Sequence, residues 1–283
     1  MNEKSNMRQA RPRSPNRAFA TTLARAFGGA IIFGLPLLMT MEMWWLGSYF
    51  PAGRLITFIL VTYPLLVLLS HFLGFEKTFD VLDDAVDAFV AIAVGFFASA
   101  AVLLLIGEIG REMSLDEVAR KVTLQTGAGG IGALLAQSQF RMDRAEEEGR
   151  MERAGYLGEL FFMLVGALFL SLNIAPTDEV PVLAGKVGAG HLITITLVSL
   201  AIMHAFVYAL EFSGQAERPP GTAEWSVFLR YTIVGYVLAL LASAYMLWSF
   251  GRFDGTGFHP AVAMTVMLGF PAALGAAAAR LVL

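Results

Sequence analysis

The side chains with most chemistry to offer are two carboxylates set in apolar sequence, Glu42 and Glu179. Each follows a threonine by two residues, Thr40 and Thr177, and Glu179 also follows Asp178 and Pro176. Such oxygen donors in or near a membrane span suit a cation or a proton. Carboxylates ligate hard cations, and burial raises their pKa towards a range where they exchange protons. A second group is His204, Tyr208 and Glu211, whose i, i+4, i+7 spacing places all three on one helical face, as a proton relay or ion path requires. Each group has a plainer alternative. The acids mark helix ends, and the stripe hydrogen-bonds between helices. Asp80, Asp83, Asp84 and Asp87 gather ahead of an apolar run, where acids either cap a helix or form a cation-attracting vestibule.

The elements that must position these residues are membrane helices. Of 283 residues, 57% are apolar and 15% charged, against about 45–50% and 25% in ordinary globular domains. Mean hydropathy is +0.64. Seven runs, at about 23–45, 54–73, 85–107, 157–175, 190–212, 226–249 and 260–282, are long enough to cross a bilayer core. An eighth, 124–140, is short and carries Gln125, Gln137 and Gln139. The distribution of basic residues decides for eight crossings. With the N-terminus inside, 14 of the 20 Lys and Arg face the cytoplasm, leaving Arg54, Arg111, Arg120, Lys121, Lys186 and Arg252 outside. Seven crossings would place the majority outside. The expected protein is all-α and polytopic, with both termini cytoplasmic.

An internal repeat organises these spans. Residues 29–75 align without a gap on 166–212, with 15 identities in 47 positions that include Thr40/Thr177 and Glu42/Glu179. With a six-residue shift, Ile131-Gly132-Ala133 meets Leu274-Gly275-Ala276. An even number of helices per repeat makes the halves parallel, related by an axis along the membrane normal. The expected parts are a disordered basic arm (1–22), a four-helix repeat (23–140), a charged cytoplasmic linker (141–155) and a second four-helix repeat (156–283).

Other patterns carry less. The chain has no cysteine, which excludes disulfides and thiolate chemistry. Gly127-Ala128-Gly129-Gly130-Ile131-Gly132 matches G-x-G-x-x-G but lacks the strand and soluble domain of a dinucleotide fold, so close helix packing explains it. Met39, Met41 and Met43 beside Trp44 and Trp45 read as interface packing rather than thioether ligands. Pro36 and Pro271 interrupt their helices and free backbone carbonyls, and Asn173 stands at the repeat position of Pro36.

Several blocks are similar to a bacterial family of integral membrane proteins of unknown function: 33–45 around Leu35-Pro36, Asn173-Ile174-Ala175-Pro176-Thr177-Asp178-Glu179, 203–212 around His204, Trp225 to Tyr231, and 269–275 around Pro271. The resemblance implies the topology and brings no activity or catalytic residue. The expectation is a non-enzymatic transporter or channel, for a cation or protons, in a bacterial cytoplasmic membrane. Its partners are the lipid bilayer and that small cation, with no cofactor, no nucleic acid, and an oligomeric state that the sequence leaves open. The alternative is a non-transporting scaffold or accessory subunit.

Overall fold

The computed structural model describes residues 15–73, 81–140, 144–208 and 224–282. Every described element is a helix: α1 (Pro15–Leu38), α2 (Met41–Tyr49), α3 (Ala52–Leu73), α4 (Val81–Leu105), α5 (Leu115–Phe140), α6 (Arg144–Ile174), α7 (Glu179–Lys186), α8 (Ala189–Tyr208), α9 (Glu224–Val227), a π-helical turn (Phe228–Ile233), α10 (Val234–Ser249) and α11 (Phe258–Val282). Among the described residues, seven helices are long and apolar enough to span a membrane. They belong to α1, α3, α4, α6, α8, α11 and the run from the π turn through α10.

The eighth helix is α5, and its polarity follows from its place. At 26 residues it is about 39 Å long. It lies against α1, α2, α3 and α4, and nearly every residue from 121 to 136 is buried. Shielded from lipid by its neighbours, it carries Gln125 and Thr126 at 0% and 2% exposure, with the Thr126 hydroxyl donating to Val122 O at 3.0 Å. It starts at Leu115 rather than 124, so Arg120 and Lys121 belong to the helix and not to a loop. Lys121 is buried beneath Gly47 of α2, with its Nζ 3.4 Å from Glu108 Oε2.

Other expected boundaries also move. The described end of the basic arm, from Pro15, is already helical; residues 1–14 lie outside the described residues. The linker is helical from Arg144 and is interrupted at Gly155, whose φ of 55° and ψ of −152° belong to a region open to glycine. The first expected span divides in two, because α1 stops at Leu38 and α2 begins at Met41.

Some helix pairs recur in the two halves of the chain, α1–α5 and α6–α11, although α3 packs broadly on α4 while α8 barely touches α10. α5 packs on α1 through Gly29 and Gly132, and α11 packs on α6 through Gly166 and Gly275. A Cβ on either member of a pair would collide with the backbone of the other, so only glycine permits the approach. In α3, Ile56, Leu60 and Val61 are exposed and Leu66 is buried; at the aligned positions of α8, Ile193, Leu197 and Val198 are exposed and Met203 is buried. The exposed faces are large and aliphatic, as lipid requires. Between the halves, Phe33 stacks edge-on against Phe169 at 5.7 Å, and one apolar cluster runs from Leu37 and Phe58 to Met163 and Leu247.

Candidate functional site

Two helix breaks build one end of the bundle. α1 ends two residues after Pro36, and its freed carbonyls are taken up locally: the Thr40 hydroxyl donates to Pro36 O at 2.6 Å and the Trp44 indole to Leu38 O at 2.7 Å. In the second half α6 ends before Pro176, and Thr177 donates to Ile174 O at 2.9 Å. Arg252 reaches back from the loop after α10. Its Nε donates to Ala175 O at 3.3 Å, its Nη2 to Pro176 O, and its Nη1 to Asp178 Oδ1 at 2.7 Å.

Between these breaks lies a cavity of about 340 Å³. Glu42, Trp45, Leu46 and Tyr49 line it from α2. Their i, i+3, i+4, i+7 spacing is one helical face, while Met43 and Gly47 on the other face are buried against the bundle. Arg54 at the start of α3 and Asp254 close the cavity across the halves with two parallel bonds of 2.7 and 2.5 Å. This paired geometry is the strong form of an Arg–carboxylate contact. Gly251 permits it: φ is 75°, and a Cβ there would lie 2.7 Å from Arg54 Nη1.

The charges in the cavity do not cancel. Asp254 is paired with Arg54 and Asp178 with Arg252. Glu42 accepts the Asp178 backbone N–H at 3.3 Å and has no cationic partner among the described residues. Hydrogen bonding from Arg54 holds the Asp254 carboxyl below its usual range, with desolvation opposing and the Arg54 charge reinforcing the shift. Because this pKa is lowered in the folded state, the stabilisation is complete above the ordinary Asp range and is lost as pH falls through the lowered value. Wild type is therefore expected to lose more thermal stability than Asp254→Asn between about pH 5 and pH 2. The difference should be under about 1 kcal/mol because Asp254 is largely exposed. Equal pH slopes in a detergent melting series would show that this pair does not hold the halves.

The structure brings only some of the expected site residues together. Glu42 and Asp178 line the cavity. Thr40 and Thr177 serve helix-end carbonyls, those of Pro36 and Ile174. Glu179 is exposed in the first turn of α7 and is not among the lining residues; its carboxyl is held low by the Thr177 hydroxyl and by its own backbone N–H. His204 lies elsewhere. Its Nδ1 is 3.2 Å from Thr232 Oγ1 in the π turn, and its ring meets Phe228 at 5.0 Å. Thr232 is roughly 25 Å by helical rise from Phe250, which lines the cavity. The side chain of Tyr208 and all of Glu211 lie outside the described residues. At that same far end Asp84, 3% exposed, turns to His71 Nδ1 at 2.9 Å, so it does more than cap α4.

Arg54, Arg252 and Asp254 line the cavity but are not among the expected site residues, the two arginines reading in sequence as topology markers. Their signal was present: Arg54 is a lone charge between apolar runs, and Arg252 and Asp254 stand two residues apart at the end of another. Among the described residues, no group of three or more His, Asp or Glu is placed to hold a metal ion.

A bundle of apolar helices around a shielded polar one, closed at one end by ion pairs, defines a multi-pass integral membrane protein. The chain belongs to the family described as "Putative integral membrane protein (DUF2391)", whose model matches residues 22–283. No curated protein and no solved structure matches it.

Proposed function

We propose that the chain is a non-enzymatic transporter or channel for a cation or protons, with the cavity as the entrance to its path and Glu42 as the carboxylate that receives the ion. The observation that carries this reading is Glu42, left without a cationic partner in a cavity between the two halves. Two parallel repeats in a bacterial cytoplasmic membrane, with termini inside and the cavity outside, make up the rest of the proposal. The recurring helix pairs support it, as do contacts between residues 136 apart in sequence, Phe33 with Phe169 and Glu42 with Asp178. Two such contacts, nine residues apart in each half and in the same order, fit halves that run in the same direction. The distribution of Lys and Arg supports the orientation.

Vesicles carrying ion- and pH-sensitive dyes test it under imposed gradients. Wild type should carry a cation or proton flux that Glu42→Gln reduces at least tenfold. Glu179→Gln should leave the flux within twofold, because Glu179 stands outside the cavity. A wild-type protein that carries no flux for any common monovalent or divalent cation or for protons would return the scaffold reading.

A further inference from the structure

We propose that the cavity binds a small organic cation of the alkylammonium class, its charge on Glu42 and its alkyl groups against Trp45 and Tyr49. This narrows the cation reading above and rests on it for the sign of the ligand's charge. Size is the first argument. About 340 Å³ is far more than a dehydrated metal ion occupies and lies at the lower end of small-molecule pockets. A calcium ion also needs roughly six to eight oxygens converging at about 2.3–2.6 Å. Here two of the three carboxylates are already engaged by arginine.

Charge is the second argument. An anionic ligand would have to displace a carboxylate from Arg54 or Arg252, both of which hold charge-assisted bonds. A single positive charge instead completes Glu42, the cavity carboxylate that has no cationic partner among the described residues. Aromatic lining is the third. Trp45 and Tyr49 are 59% and 68% exposed, one turn apart on the face that carries Glu42. Aromatic residues at a membrane interface ordinarily anchor a helix in the headgroups. These two line a charged cavity, where aromatic faces favour weakly hydrated cations such as quaternary ammonium. The same corner already uses that interaction: the Arg54 guanidinium carbon lies over the Trp248 ring at 5.8 Å from its centroid. Leu46, Phe50 and Phe250, themselves buried, stand behind the cavity wall and add apolar contact for methyl groups.

Tetramethylammonium chloride is the probe, titrated by calorimetry into the purified full chain in lipid nanodiscs, with sodium and potassium chloride as controls. Saturable binding of tetramethylammonium, weakened at least tenfold by Glu42→Gln and about fivefold or more by Trp45→Leu, is the expected result. Trp45→Phe should restore most of the loss, and all variants should elute as wild type in size exclusion. The proposal is overturned if tetramethylammonium does not bind, or binds equally to E42Q. It is also overturned if sodium or potassium at the same concentration competes fully. Binding without any flux would remove the transport reading and leave this site standing. Sodium or proton flux that tetramethylammonium neither binds against nor inhibits would do the reverse.

Discussion

Replacing Gly166 or Gly275 with alanine is expected to destabilise the fold by roughly 3 kcal/mol each, the upper end for an overpacked core. The melting temperature should fall by roughly 5–10 °C. The reason is the rigidity of what the methyl meets. At both sites the obstacle is the partner's backbone carbonyl, which cannot move aside as a side chain tip can, so α6 and α11 must separate. In lipid, where helices are held by close packing rather than by a hydrophobic gradient, that separation forfeits contacts along the whole seam. One separation accommodates both methyls, so the double variant should cost less than the sum of the singles. Gly29→Ala and Gly132→Ala should behave alike at the α1–α5 seam. Gly190→Ala is the control of opposite sign: nothing lies within 4 Å of its Cβ position, and alanine in a helix should stabilise by about 0.4–1 kcal/mol. Equal melting of G166A and G190A would show that the seam is not a tight contact.

The apolar runs made most of this bundle legible in advance, because a chain that must hide its backbone in lipid has no option but long helices. What they hid was shielding. α5 reads as a weak span because hydropathy measures contact with lipid, and α5 touches other helices instead. The division after Leu38 was obscured by the unbroken apolar run on both sides of Thr40, although Pro36 pointed to it. The cavity was harder still. Glu42 was visible as a candidate through its alignment with Glu179, and Asp178 through its place beside Glu179, but the groups that close the site, Arg54, Arg252 and Asp254, come from distant segments and carry no motif. A lone arginine at the end of a span reads as a boundary charge until the partner opposite it is known. The His204 stripe shows the converse, since its spacing was clear but the turn that faces it, a π-helical insertion holding Thr232, left no pattern in the sequence.

Arg252→Ala should be more damaging than Arg54→Ala, although both arginines line the same cavity and each pairs with one carboxylate. Among the described residues Arg54 hydrogen-bonds Asp254, whose side chain is 61% exposed, and lies over the Trp248 ring, so water replaces much of what truncation removes. Arg252 carries three acceptors at once: Asp178 and the carbonyls of Ala175 and Pro176, both buried residues at the broken end of α6. Removing the guanidinium leaves those carbonyls without a donor, at about 1–3 kcal/mol for each buried group. The expected loss is therefore about 3 kcal/mol or more for R252A and under about 1 kcal/mol for R54A. Arg252→Lys should recover less than half, because an ammonium cannot spread its donors over two carbonyls and a carboxylate as the planar fork does. Asp178→Ala added to R252A should cost little further, since Asp178 has by then lost its partner. Melting curves of these four variants in one detergent give the order directly. R54A falling below R252A would mean that the halves are held mainly by the Arg54–Asp254 pair, and that the α6 break supports itself.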